Sequence, residues 1–235
     1  MLAGGKGTRL GNLTKDKPKA LLEVGGRPIM DYIINALVHT KQIHRIIIHV
    51  PAKYANNFAT RYGNGTDTVK IEYITSSAED TAKALQYDIG SLQEDSFMLL
   101  MGDIVFDTDL DAVINYYKLY KERYNVLLTS LYSEENIVYE TKNKFAADFR
   151  KKKLDAFVAG GIYIFNKSDI NGKMIEYFDS VLPNLANNRK LIAYKFFGYI
   201  KGINTPEELN EVDLDLKSGK VYLSGIEDFL SPSRE

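Results

Sequence analysis

Short apolar runs rich in β-branched residues alternate along this chain with stretches whose apolar residues recur at intervals of three and four. Ile29, Tyr32, Ile33, Ala36 and Leu37 fall on one helical face, so Ile29–Leu37 reads as an amphipathic helix. Arg45–Val50 (RIIIHV) reads as a buried strand that Pro51 ends, and helical spacing resumes over Tyr54–Tyr62. Val69–Ile74 is the next strand, Ala78–Ile89 the next helix, and Phe97–Met101 (FMLLM) a continuous apolar run of buried-strand type. Asp109–Arg123 is helical and Asn125–Leu131 a strand. Met1–Ala3 reads as the end of a strand that runs into a glycine loop. Strands alternating with helices require βαβ crossovers. The pattern therefore predicts an α/β fold of three layers, doubly wound around a mostly parallel, Rossmann-like sheet.

The second half is less regular. Lys142–Lys153 is basic and mixed, and reads as a surface excursion. Gly161–Phe165 is a strand, Gly172–Ala186 a helix and Leu191–Tyr199 a strand. Thr205–Lys217 opens on Thr-Pro-Glu-Glu, an N-cap with proline in the first turn and acids on the helix dipole. Val221–Glu235 shows no clear element. With 235 residues and no linker or repeat, one domain is expected, with residues 1–131 forming one half, 132–218 the other and 219–235 a tail.

Composition narrows the function classes. A formal net charge of −1 gives no global basic field, so no nucleic-acid partner is expected and any anion site must be built locally. The chain contains 0 cysteines, which excludes disulfides and thiolate metal sites and suits a reducing, cytoplasmic setting. No apolar run is long enough to span a membrane, so no membrane partner is expected either.

The strongest local signal is Leu2-Ala3-Gly4-Gly5-Lys6-Gly7-Thr8-Arg9-Leu10, with Pro18-Lys19 downstream. Glycines after a strand let backbone N–H groups approach phosphate oxygens without Cβ obstruction. Lys6 and Arg9 add cations on the loop, and Lys19 can return to the same pocket. This suits a triphosphate, whose charge must be neutralised as pyrophosphate departs. A purely structural turn would not call for those cations. Gly7 follows Gly5-Lys6 where a Walker A loop needs Ser or Thr, and Gly11 falls one place late for a dinucleotide fingerprint. Asp103 ends an apolar strand, where open α/β sheets place their ligand crevices, and one carboxylate plus phosphate oxygens can seat Mg²⁺. Asp107 and Asp109 read as turn and helix-cap residues.

Gly4-Gly5-Lys6-Gly7-Thr8-Arg9-Leu10 followed by Asp16–Tyr32 (DKPKALLEVGGRPIMDY) resembles the opening of the sugar-phosphate nucleotidyltransferases, the NDP-sugar pyrophosphorylases. Met101-Gly102-Asp103, Gly160–Phe165 and Ile203–Leu209 follow in that family's order, so the resemblance runs over about residues 1–215. The compact heptose- and mannose-phosphate guanylyltransferases look most similar. The resemblance implies a Mg²⁺-dependent transfer of a nucleotidyl group from an NTP to a sugar 1-phosphate, with a homo-oligomer left open. It implies catalytic roles for Arg9, Lys19 and Asp103, with Asp103 as metal ligand. Nucleotide contacts would come from Leu2, Ala3, Gly4, Gly5, Lys6, Gly7, Thr8, Arg9, Thr81 and Gly102, and sugar-phosphate contacts from Gly160, Gly161 and Tyr163.

The chain departs from the family's pattern in its second half. Gly202 stands where the family has a second metal-ligand aspartate, and Ala159 where an asparagine contacts the sugar. Asp80-Thr81-Ala82-Lys83 replaces a Gly-Thr-Ala-Gly loop, and a clear Glu-Lys-Pro segment is missing. An unusual acceptor, a non-sugar phosphate acceptor and a non-catalytic nucleotide-sugar-binding subunit therefore stay open. His49 reads as a packed core histidine, Tyr116, Tyr117 and Tyr120 as core and boundary residues, and Lys151–Lys153 as a solvated loop. A first strand of three residues is short for a buried sheet, so Met1 is expected to lie inside a longer natural strand.

Overall fold

The computed structural model describes residues 1–5, 7–76, 81–120, 123–131, 138–142, 145–150, 157–170, 178–221 and 223. The element order is β1 (Glu23–Val24), β2 (Arg27–Pro28), α1 (Ile29–His39), β3 (Arg45–Pro51), α2 (Ala55–Tyr62), β4 (Lys70–Ser76), α3 (Thr81–Ser91), β5 (Ser96–Leu100) and β6 (Ile104–Phe106). It continues with α4 (Leu110–Tyr120), β7 (Asn125–Leu131), β8 (Val138–Lys142), β9 (Phe145–Arg150), β10 (Phe157–Asn166), α5 (Phe178–Asn187), β11 (Leu191–Phe196), β12 (Ile200–Gly202) and α6 (Pro206–Lys217).

The N-terminal residues join two pieces of sheet. β3 pairs with β4 in parallel, and Leu2 bridges in parallel to both His49 of β3 and Met101 just beyond β5. Leu2 N–H donates to the Leu100 carbonyl at 3.1 Å and Ala3 N–H to the His49 carbonyl at 2.9 Å. Beyond β5 the order is β10, β7, β11, β9 and β8. β10 runs antiparallel to β5 and β7, while β7 and β11 are parallel. The α/β class is as expected, but the sheet is mixed and not mostly parallel: β4, β3, residues 1–3 and β5 run parallel, as do β7 and β11, whereas β10, β8 and β9 pair antiparallel with their described neighbours. A cavity of about 350 Å³ opens between the starts of β3 and β5, next to Met1.

Alternation along the strands separates two cores. Met1, Ala3, Leu100, Val126, Leu128, Ile162, Ile164 and Ile192 face one side, packed with α1, α2 and α4. Leu2, Leu99, Leu127, Tyr163, Phe165, Leu191 and Ala193 face the other, packed with α3 and α5. Period 2 in the strands and period 3.6 in the helices produce this division directly. A third cluster gathers Leu10, Leu22, Val24, Ile29, Tyr32, Val105, Ile203 and Val212, and seats α6 against the glycine-loop segment.

Two expected elements need correction, and several residue readings hold. Lys142–Lys153 is no surface excursion: residues 145–150 form β9, hairpin partner of β8, and β8 also pairs with β10. Its mixed charges conceal the two-residue period, a common state of affairs in strands far from the sheet centre. The strand expected over Leu191–Tyr199 stops at Phe196, and β12 then pairs antiparallel with β6. Asp109 caps α4 by accepting the Asp111 and Ala112 N–H groups, and the Asp107 carboxylate accepts the Tyr199 N–H at 2.8 Å. His49 lies in the core, its Nδ1 2.7 Å from Asp88 Oδ1. Tyr117 is buried in the first core, and Tyr116 and Tyr120 pack against it. Lys151–Lys153, residues 171–177 and most of 222–235 lie outside the described residues.

Candidate functional site

The glycine loop emerges where the parallel strands end. Leu2 and Ala3 are buried in the sheet, Gly4 is half-buried and Gly5 exposed. The chain then winds into a 3-10 turn over Thr8–Thr14. The Leu10 N–H donates to the Gly7 carbonyl at 2.8 Å and the Thr14 hydroxyl to the same carbonyl at 2.9 Å. Leu10 pins this turn by burial in the third core. Thr8 and Arg9 stand exposed on it, while Lys6 lies outside the described residues.

Asp103 is fixed by its neighbours' backbone. Gly102 N–H donates to the Leu2 carbonyl at 2.9 Å, Met101 N–H to the Gly161 carbonyl at 2.9 Å, and Ile203 N–H to the Asp103 carbonyl at 2.8 Å. The glycine loop, β10 and the start of α6 are thereby tied to one short segment. A Cβ built on Gly102 would lie 2.7 Å from the Leu2 oxygen, so only glycine permits this approach. Gly161 has φ +77° at a bulge in β10, where a Cβ would meet Ile104 at 3.1 Å.

Lys19 crosses to the same place. Its side chain is 9% exposed, and its Nζ donates to Asp103 Oδ2 at 2.6 Å and to Asn204 Oδ1 at 2.9 Å. Asp103 keeps 29% of its side chain exposed, which leaves the carboxylate open to solvent on one side. Asn204 lies just ahead of Thr205, the N-cap of α6, in a hydrogen-bonded capping box. The Thr205 side chain accepts from Glu208 N–H, and the Glu208 carboxylate accepts from the backbone of Thr205 and Asn204. Glu207 is held below the usual carboxyl range by the backbone N–H at this helix start and by the Thr205 hydroxyl.

Of the residues expected from sequence, the structure thus brings together the glycine loop, Lys19, Gly102 and Asp103. Gly161 packs against Met101 and Ile104, on either side of Asp103, whereas a Cβ on Gly160 would meet Leu128 and Ile200. Tyr163 does not join the site: its ring is buried in the second core, stacked on Phe165 at 5.6 Å. Its parity on β10 sends it to the face opposite Ile162 and Ile164. Thr81 opens α3, and its side chain lies outside the described positions. Asn204 is the residue that sequence reasoning missed. The available signal was a polar side chain just ahead of a capping box, at the end of a strand paired beside Asp103.

Among the described residues, no three His, Cys, Asp or Glu side chains form a metal-binding group. A cation held with the help of a triphosphate needs fewer, since Mg²⁺ takes one or two protein carboxylates alongside phosphate oxygens and water. The donor set fits it. Asp103 and Asn204 present two hard oxygens that already share one cation, the Lys19 ammonium.

The protein-family model described as nucleotidyl transferase matches residues 1–179. A bifunctional protein GlmU from Methanococcus maripaludis (strain S2) is 27% identical over 224 residues, 88% of this chain and 51% of that protein. The mannose-1-phosphate guanylyltransferase of Mycobacterium tuberculosis is 25% identical over 232 residues, 93% of this chain and 64% of that protein. The chain therefore spans about half to two-thirds of the length of these curated relatives. A Bacillus anthracis protein described as a glucose-1-phosphate thymidylyltransferase, solved with sucrose, superposes with a TM-score of 0.82 at 20% identity, covering 96% of both chains. At that identity the likeness establishes the fold. No helix among the described residues is long and apolar enough to cross a membrane. With the family model spanning most of the chain, from the glycine loop to the start of α5, this protein belongs to the nucleotidyl transferase family.

Proposed function

We propose that the chain transfers a nucleotidyl group from a nucleoside triphosphate to a sugar 1-phosphate and releases pyrophosphate. The observation that carries this reading is the meeting of the glycine loop, Lys19 and Asp103 where the parallel strands end, with Lys19 Nζ 2.6 Å from Asp103 Oδ2. Gly4 and Gly5 offer backbone N–H groups suited to phosphate oxygens, and Arg9 stands exposed on the adjoining turn. Nucleotide binding falls to Leu2–Arg9, Thr81 and Gly102, and sugar-phosphate binding to the Gly160–Gly161 region.

The chemistry asks little covalent work of the protein. An oxygen of the sugar phosphate attacks the α-phosphorus in line, and pyrophosphate leaves on the opposite side. The loop N–H groups and Arg9 hold the triphosphate so that attacking oxygen, phosphorus and leaving oxygen align. Lys19 donates hydrogen bonds to the phosphate on which charge accumulates. Mg²⁺ held by Asp103 would neutralise further charge on the α-phosphate and the departing group. Residues 1–131 then serve the nucleotide and 132–218 the acceptor, within one cytoplasmic protein.

The test is a pyrophosphate-release assay with four NTPs, a panel of sugar 1-phosphates and Mg²⁺, on the chain and on Asp103→Asn. The reading expects one NTP and acceptor pair to turn over, and Asp103→Asn to abolish that turnover. Nucleotide-sugar binding without turnover of any pair would overturn it in favour of a non-catalytic subunit.

A further inference from the structure

The glycine loop is closed on itself by a residue that the proposed chemistry does not use. Gly11, at φ +57° and ψ −126°, puts a kink in the 3-10 turn with a backbone that favours glycine. Thr14, the last residue of that turn, thereby returns to Gly7. Thr14 Oγ1 donates to the Gly7 carbonyl at 2.9 Å, with a longer approach to the Gly11 carbonyl at 3.3 Å. Its methyl group covers the Gly7 Cα: at φ +60°, a Cβ built on Gly7 would lie 2.7 Å from Thr14 Cγ2. Gly7 is glycine for two reasons, its left-handed backbone and the side chain that lies against it.

The consequence falls on the next peptide unit. The Gly7 carbonyl accepts twice, from the Leu10 N–H at 2.8 Å and from the Thr14 hydroxyl at 2.9 Å, so both its lone pairs are engaged. In a planar trans peptide the carbonyl and the following N–H point in opposite directions. With the Gly7 oxygen held inside the turn, the Thr8 N–H must face out of it. Thr8 is exposed, and its N–H donates to no backbone acceptor among the described residues.

We propose that Thr14 is a positioning residue for phosphate binding: its hydroxyl fixes the Gly7–Thr8 peptide so that the Thr8 N–H is turned toward the triphosphate before nucleotide arrives. The proposal rests on the reading of the glycine loop as the triphosphate site, and adds a residue that acts through the loop backbone. The gain is preorganisation. A glycine-rich loop has a wide choice of backbone conformations, and each peptide left free must be ordered when the anion binds. Without the hydroxyl, the 7–8 peptide can turn over and present its carbonyl oxygen, which repels phosphate, in place of the N–H.

The experiment titrates the folded protein with inorganic tripolyphosphate by calorimetry in the presence of Mg²⁺, then determines KM for the NTP and for the sugar 1-phosphate. Thr14→Val keeps the side-chain shape and removes the donor. It should weaken tripolyphosphate about fivefold, the fold-change of one net hydrogen bond, and raise the NTP KM by the same factor. The acceptor KM should stay unchanged. Thr14→Ser keeps the hydroxyl and should bind tripolyphosphate within about twofold of the native chain. Thr14→Ala removes the same hydroxyl and answers where Thr14→Val does not fold. Native affinity in the hydroxyl-free variant, equal losses in it and in Thr14→Ser, or a matching rise in the acceptor KM each overturns the proposal. If Arg9→Ala weakens tripolyphosphate and Thr14→Val does not, the triphosphate site stands and Thr14 has no part in it. If the native chain binds neither tripolyphosphate nor any NTP, the triphosphate reading falls and takes this role with it.

Discussion

Gly102→Ala tests whether the glycine before Asp103 is there for backbone proximity. The new Cβ would lie 2.7 Å from the Leu2 oxygen and 3.1 Å from the Ala3 Cα, both of them backbone atoms that cannot rotate away. Relief requires residues 1–3 and 101–103 to separate by roughly half an ångström, the shortfall from ordinary van der Waals contact. That movement loosens the Gly102–Leu2 hydrogen bond of 2.9 Å and strains the bonds that tie residues 2 and 3 to Leu100 and His49. Overpacking of this kind costs about 2 kcal/mol, within a range of 1–3. For a chain of this length the thermal midpoint should fall by roughly 4–8 °C. Since a displacement of about 1 Å can cost a hundredfold in rate, turnover should fall about tenfold as Asp103 moves relative to the loop. Gly90→Ala supplies the control: that glycine lies in α3, with nothing within 4 Å of a built Cβ, and should gain about 0.5–1 kcal/mol. Melting by circular dichroism and pyrophosphate release read both effects. A Gly102→Ala protein that melts within a degree of the parent and keeps full turnover refutes the reasoning.

Four further outcomes are expected. Asp103→Asn should keep the melting midpoint and lower turnover by on the order of a thousandfold, measured by pyrophosphate release. Arg9→Ala and Lys19→Ala should weaken all four NTPs by similar factors, because a lost phosphate contact is blind to the base; a changed base preference in competition binding would contradict these roles. Gly202→Asp should fold normally, since its Cβ meets only an ordinary contact, and should tighten Mn²⁺ binding without nucleotide in a resonance titration. Asp31→Ala should lower stability by about 2–3 kcal/mol in denaturant melts: it leaves the buried Tyr62 hydroxyl without the acceptor 2.8 Å away, whereas Arg61 is exposed enough to recover water.

The parts of the fold readable from sequence are those whose periodicity is local. The spacing of Ile29, Ile33 and Leu37 announces α1, and the run RIIIHV announces β3, because burial on one face or two leaves a mark within a few residues. The Thr205 cap was readable for the same reason, as Ser/Thr followed three residues later by Glu is a local device. β6 and β12 were not, since three residues each carry no period, and only their pairing across the chain defines them. In the site, the glycine loop, Lys19 and Asp103 stood out by residue type and place. Asn204 did not, because its partner Lys19 lies 185 residues away and nothing near Asn204 records that distance. Tyr163 illustrates the opposite failure: motif likeness pointed to a ligand contact, whereas its alternation with Ile162 and Ile164 already assigned it to the core.

The bridging position of residues 1–3 has a consequence for the order of events on the ribosome. Leu2 is held between His49 and Met101, so its pairing on both sides cannot finish until Met101 has been synthesised and released from the exit tunnel. At about 5–20 residues per second, roughly 5–20 seconds separate the synthesis of residue 2 from that of residue 101. During that interval β3 can find β4, which follows it closely, while the side of β3 destined for the glycine-loop strand has at most one of that strand's two partners in place. The glycine loop, though translated ahead of those strands, is thus among the last parts of this half to acquire its shape. A nascent chain halted before residue 96 should bind no nucleotide, even though it carries every glycine of the loop.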